Sequence, residues 1–239
     1  VWSRVCSQPL WAMTDAIDLL ETVEQETGPD PQWAVIWLHG LGADGHDFAP
    51  IVPELVRPGW PALRFVFPHA PVRPVTINNG MRMRAWYDIV GMDFPTRADS
   101  HGVNESVMQA NALIEREQAR GIPAHRILLA GFSQGGAIAL AAGVRRTTPL
   151  AGLIALSTYL PDAQAATAEK ADAATSQPVF MAQGGSDAVI PMMYAEQSAD
   201  LLKTFGFNVE GHRYPMAHQV CAEELSDLGD WMAQRFSAG

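Results

Sequence analysis

The chain has 239 residues, 48% of them hydrophobic, which is enough to bury a sizeable core and suits one large α/β domain. Against 26 Asp and Glu stand 16 Lys and Arg, a formal net charge of −10 with no long basic run, which argues against a nucleic-acid partner and against docking on an anionic membrane. No stretch has the apolar length for stable membrane insertion, and the two cysteines, Cys6 and Cys221, are expected to be free thiols of a cytoplasmic protein.

Residues 1–12 read as a poorly ordered N-terminal extension without the continuous apolar stretch of a signal peptide, and residues 13–239 as a single α/β domain. Residues 33–38 are an apolar run of strand length that leads into His39-Gly40-Leu41-Gly42. Residues 48–56 have helical spacing with Pro50 near the first turn, and residues 63–67 read as the next strand. Residues 68–101 carry prolines, glycines and an Asn-Asn-Gly turn but little periodicity; a loop of that length is usually functional. Its exposed-looking apolar residues are compatible with a monomer or a weak homodimer. Residues 103–120 are amphipathic and stop at Gly121. There follow a strand at 126–130, a helix at 134–144, a strand at 150–157 and a polar, alanine-rich stretch at 162–176. A strand at 178–183, a helix at 192–205, a strand at 208–214 and a helix at 221–236 complete the chain. Such alternation implies a mostly parallel sheet with helices on both faces, and working groups at the carboxyl ends of its strands.

Between the strand at 126–130 and the helix at 134–144 lies Gly131-Phe132-Ser133-Gln134-Gly135. The pentapeptide alone is weak, but a strand that turns into a helix through Gly-x-Ser-x-Gly is the geometry of a nucleophile elbow, with Ser133 exposed at the turn. A serine needs a base, and the base needs an acceptor behind it. Two histidines follow Ser133; His212 falls inside a strand, whereas His218 lies in the loop beyond it and is the better base. Asp162 and Asp187 both follow strands; Asp187 sits in a glycine-led turn, while Asp162 suits a helix cap. The backbone amides of Gln134 and, in the glycine loop after the first strand, Leu41 are candidate oxyanion donors; His39 braces that loop. Cys221, three residues past His218, reads as a packed residue. No metal cluster, phosphate loop or dinucleotide fingerprint is present, so no cofactor is expected.

The segments VIWLHGLGADGHDF, FVFPHAPVRPVTINNGMRMRAWYDI, LLAGFSQGGAIAL, LIALSTYLP and PMAHQVC, in this order and spacing, resemble the phospholipase/carboxylesterase family of α/β hydrolases, which includes acyl-protein thioesterases. The resemblance spans about residues 33–236. It implies an α/β-hydrolase fold without a large cap domain, with Ser133 as nucleophile, Asp187 as acid, His218 as base, and Leu41 and Gln134 as oxyanion donors. The implied activity is hydrolysis of short to medium carboxylic esters through an acyl-enzyme, the substrate being a small-molecule acyl ester or thioester. Acyl-protein thioesterase or lysophospholipase action is the alternative, and a non-catalytic hydrolase-fold binding protein the third reading. The resemblance also makes the loop at 68–101 a border of the acyl pocket, with Trp86 and Tyr87 as lining candidates or else core; Arg82 and Arg84 are expected to face solvent. The chain shows Gln183-Gly184 where the family often has a histidine-glycine pair before the acid.

Overall fold

The computed structural model describes residues 19–238; the expected extension over residues 1–12, with Cys6, lies outside them. In chain order the elements are β1 (Thr22–Glu26), β2 (Trp33–Leu38), α1 (Val52–Leu55), β3 (Leu63–Pro68), β4 (Val72–Val75), β5 (Met81–Arg84) and α2 (Ser100–Ala119). They continue with β6 (Ile127–Phe132), α3 (Gln134–Val144), β7 (Gly152–Leu156), α4 (Ala163–Glu169), β8 (Val179–Gly184), α5 (Met192–Phe205), β9 (Val209–Tyr214) and α6 (Ala222–Ala238). Seven strands form one sheet in the order β1-β3-β2-β6-β7-β8-β9, with only β1 antiparallel to its neighbour.

Strands β2, β3, β7 and β8 are buried along their whole length, the condition of a parallel strand covered on both faces. Alternation then sorts their side chains between two cores. Ala34, Ile36 and Leu38 pack with residues of α2, α3, α4 and α5, while Trp33, Val35 and Trp37 pack with α1 and α6. Every residue of α3 is buried, which is why its sequence is apolar all round rather than along one stripe.

Some sequence expectations differ from the observed elements. The helix expected over 48–56 is a 3-10 turn at Ala49–Ile51 followed by the four residues of α1, because both Pro50 and Pro53 lack a donor and must sit in first turns. The stretch at 68–101 is not structureless: β4 and β5 pair as a hairpin closed through Asn79 and Gly80, both at positive φ, and Ile89 bridges Ala98. Helix α2 starts at Ser100, three residues early, because the Asp99 side chain caps it, accepting from the amides of His101 and Gly102. It ends as expected, with Gly121 at φ +97° and the amides of Gly121 and Ile122 returning to the carbonyls of Gln118 and Glu117.

Candidate active site

At the carboxyl end of β6 the backbone turns through Ser133 at φ 54°, ψ −121°, a conformation L-residues rarely adopt. It is pinned from two sides. The Ser133 amide donates to Leu156 O at 2.9 Å, and its carbonyl accepts from Ala137 N at 3.0 Å and from Thr158 Oγ1 at 2.7 Å. The flanking glycines follow from this crowding. A Cβ on Gly131 would stand 2.3 Å from the Gly135 carbonyl carbon, and one on Gly135 would stand 2.3 Å from Leu38 O, so neither position admits a side chain without moving backbone.

Two further loops meet over this turn. Beyond β8, Asp187 lies in a tight turn whose Oδ1 accepts from the amides of Val189 and Ile190, both at 2.8 Å. Beyond β9, the 215–218 segment lies directly on that turn: Gly185 N donates to Tyr214 O at 2.8 Å and Ser186 N to Met216 O at 3.0 Å. Contact is so close that a Cβ on Gly184 would stand 2.3 Å from Ala217 O. The result is an unbroken chain, with His218 Nδ1 2.7 Å from Asp187 Oδ2 and His218 Nε2 2.9 Å from Ser133 Oγ. With an acceptor-only carboxylate behind it, Nδ1 must carry the proton, which leaves Nε2 as acceptor toward the serine. The Phe132 ring, 4.8 Å from the imidazole centroid, flanks His218.

The loop after β2 closes the other side. Gly40 lies against the turn, its Cβ direction 3.3 Å from Phe132 and 3.5 Å from Ser133 Cβ, so the loop that carries Leu41 packs on the serine turn. Among the described residues the Leu41 amide has no protein acceptor. The Gln134 amide opens α3, ahead of that helix's first internal bond. His39 braces this loop: its Nε2 accepts from Ala70 N at 3.0 Å, so Nδ1–H donates to Gly40 O at 2.7 Å. Burial pushes the His39 imidazole down to about 4, which keeps it neutral in that double role. The Gln134 side chain adds a second tie, accepting from Trp86 N at 2.7 Å and donating to Tyr87 O at 2.8 Å.

Trp86 and Tyr87, candidates for lining an acyl pocket, are instead core residues, 0% and 1% exposed. Trp86 Nε1 donates to His39 O, and the Tyr87 hydroxyl meets that of Tyr159 at 3.1 Å. Burial of a ring depends on what packs on it, which composition does not state. Phe94, Tyr159 and Tyr194 are aromatic residues lining a cavity of about 610 Å³ between the loop at 94–100, the segment after β7 and α5. Tyr159 follows Thr158, whose hydroxyl donates to Ser133 O, so the segment after β7 both lines this cavity and holds the serine turn. Arg82 is exposed, but Arg84 is half-buried and donates to Ala70 O at 2.8 Å. Asp162 caps α4 through Ala165 N at 3.0 Å, and His212 in β9 meets Glu210 at 2.8 Å. Cys221 is a half-buried free thiol. No metal-holding group of His, Cys, Asp or Glu occurs among the described residues. The sequence marks Gln183 only as a departure from the family pattern; in the structure this lone amide in the apolar run of β8 donates to Asp187 Oδ2 at 3.1 Å.

Residues 20–235 match the family model described as Phospholipase/Carboxylesterase. The chain is 40% identical over 210 residues to acyl-protein thioesterase 1 of Neurospora crassa, covering 84% of this chain and 86% of that protein. It is 38% identical over 226 residues to acyl-protein thioesterase 1 of Mycosarcoma maydis, covering 88% and 94%. Among solved structures, Arabidopsis thaliana SOBER1 superposes with a TM-score of 0.80 at 29% identity, covering 85% of this chain and 98% of that one. These neighbours give the sheet its fold: an α/β hydrolase without a large cap.

Proposed function

From the premise that this chain belongs to the phospholipase/carboxylesterase family, serine hydrolases of acyl esters and thioesters, we propose that it releases fatty acyl groups from protein thioesters through a covalent acyl-enzyme. The expected preference for short to medium carboxylic esters gives way to its alternative, because the curated relatives described above carry the name acyl-protein thioesterase 1. The observation that carries the chemistry is the hydrogen-bonded chain from Ser133 Oγ through His218 to Asp187 Oδ2, with links of 2.9 and 2.7 Å.

In this reading Ser133 Oγ attacks the acyl carbonyl while His218 Nε2 takes its proton. Asp187 Oδ2 holds Nδ1–H and balances the imidazolium without itself being protonated. The carbonyl oxygen, now an anion, is met by the amides of Leu41 and Gln134; removing one such donor typically costs about 2.7 to 4 kcal/mol of barrier. The tetrahedral centre collapses, the carbon–sulfur bond breaks, and the thiol leaves with the proton from His218. Water then attacks the acyl-enzyme, gives a proton to His218, and frees the carboxylic acid as Ser133 regains its hydrogen. An acyl chain has an apolar landing place. The cavity of about 610 Å³ carries Phe94, Tyr159, Leu160, Tyr194 and Leu201 in its lining, and elsewhere on the surface Met92, Val189 and Met193 are 78%, 52% and 51% exposed.

A panel of S-acylated peptides, p-nitrophenyl esters and lysophospholipid, each from acetyl to palmitoyl, separates the readings. We expect kcat/KM to rise with chain length and to favour the thioester, with Ser133→Ala lowering kcat by roughly 10³-fold or more. Turnover confined to acetyl and butyryl oxygen esters would return the reading to a short-chain esterase.

A further inference from the structure

Resting on that reading, we infer that Gln183 is a positioning residue for the reaction: its amide fixes which oxygen Asp187 offers to His218 and how much of that oxygen's charge is left for the imidazole.

Gln183 is 3% exposed, and its Nε2 lies 3.1 Å from Asp187 Oδ2 and 2.7 Å from Ile190 O. Both partners are acceptors, so the amide has one possible orientation; reversing it would set Oε1 against two oxygens. Oε1 in turn has no hydrogen-bond partner among the described residues. Burying an amide costs more desolvation than burying an apolar side chain of the same volume, so filling space does not explain a glutamine here.

What the amide does is visible at the carboxylate. Oδ1 is saturated by Val189 N and Ile190 N, and Oδ2 is shared between Gln183 Nε2 and His218 Nδ1. Two donors on one oxygen divide its negative charge. Gln183 therefore holds Oδ2 against the imidazole and at the same time weakens its pull on the Nδ1 proton. The grip on Ile190 O also closes the 187–190 turn against β8. The charged and titratable groups around the cavity that Gln183 borders are Glu196, Asp200 and Lys203 of α5 and His212 and Arg213 of β9. None of these makes a hydrogen bond or ion pair to Asp187 among the described residues, which leaves the neutral amide as the tuning partner.

The test compares Gln183→Met, which keeps the shape and removes the donor, with Gln183→Glu, which donates only when protonated. Three readouts are used: the pH profile of kcat/KM, the low-field Nδ1 proton resonance of His218 in resting protein, and the thermal midpoint. With the donor gone, Oδ2 stabilises the imidazolium more strongly, so Gln183→Met should move the acid limb of the profile to higher pH by about 0.3 to 1 unit and the Nδ1 proton downfield. A loosened carboxylate should also lower kcat by roughly 10-fold. Gln183→Glu should lose activity progressively as rising pH ionises the new carboxyl beside Asp187, a trend the unaltered protein lacks. An unmoved acid limb and Nδ1 proton in folded Gln183→Met, whatever its thermal midpoint, would overturn the assignment. Where that variant does not fold, a Gln183→Glu profile identical to that of the unaltered protein does the same. Retained turnover in Ser133→Ala would instead overturn the catalytic reading, and the Nδ1 resonance, which needs no turnover, tells the two failures apart.

Discussion

Glu224 is a buried carboxyl with little to hold a charge. It sits fully buried in the first turn of α6, where Oε2 accepts from Cys221 N at 3.4 Å and Oε1 has no partner among the described residues. Burial outweighs that one bond and pushes the carboxyl up to about 7 from an ordinary 4.5. The folded state therefore binds this proton more tightly than the unfolded chain. Its contribution to stability is complete below pH 4.5 and is lost as pH rises through about 7. His39 works in the opposite sense: its imidazole is lowered from 6.5 to about 4, so its contribution is present above pH 6.5 and lost as pH falls toward 4. Glu224→Gln keeps the shape and removes the ionisation. We expect it to raise the unfolding free energy at pH 8 by on the order of 3 kcal/mol and to leave pH 4.5 nearly unchanged. Denaturant melts at the two pH values measure this, and an equal change at both would refute it.

The legibility of the site at this scale varies by residue type. Ser133, Asp187 and His218 were readable because each is a reactive side chain on a glycine-bearing or proline-flanked loop after an apolar run, and the structure brings the three together. Trp86 and Tyr87 were not, since an aromatic pair reads the same whether it lines a cavity or fills a core. Gln183 was seen only as a departure from a family pattern, because its work depends on a carboxylate four positions later turning back onto it.

Among the elements, those that rest on apolar periodicity were legible almost to the residue. The run at 33–38 is β2, and the helices at 134–144 and 192–205 are α3 and α5. Strand β1 went unread for a physical reason. Its sequence, Thr-Val-Glu-Gln-Glu, has no hydrophobic stripe, and charges hold it to a helix distant in sequence. Glu24 meets Arg116 at 2.9 Å and Arg120 at 3.0 Å, and Glu26 meets Arg64 at 2.8 Å. At the centre is Glu117 of α2, with a fully buried side chain held by Arg64 at 2.9 Å, Arg120 at 3.0 Å and Arg116 at 3.1 Å. Glu117→Ala would leave Arg64, Arg116 and Arg120 around an emptied buried site, with only Glu24 and Glu26 at its rim to pair them. That should cost about 3 to 5 kcal/mol and lower Tm by on the order of 10 °C. A thermal melt within a degree of the unaltered protein would show that the cluster is decoration rather than a clamp.

For the whole molecule, the parallel sheet and its helical faces followed from the alternation of strands and helices, and the site from the rule that such sheets work at the carboxyl ends of their strands. Ser133, Asp187 and His218 follow β6, β8 and β9, so loops separated by up to 85 positions meet on one edge of the sheet. The hairpin of β4 and β5 and the loop at 94–100 were less legible, because their order comes from contacts with the rest of the fold rather than from local pattern. No helix among the described residues is long and apolar enough to cross a membrane.

The claim on which the rest depends is that the fold makes the Ser133 hydroxyl a nucleophile. Labelling of native protein with a fluorophosphonate, located by intact mass and peptide mapping, asks this directly. One adduct at Ser133, absent in Ser133→Ala and sharply slowed in His218→Ala, is the predicted result; folded protein that takes no label, or takes it at another residue, would contradict the account.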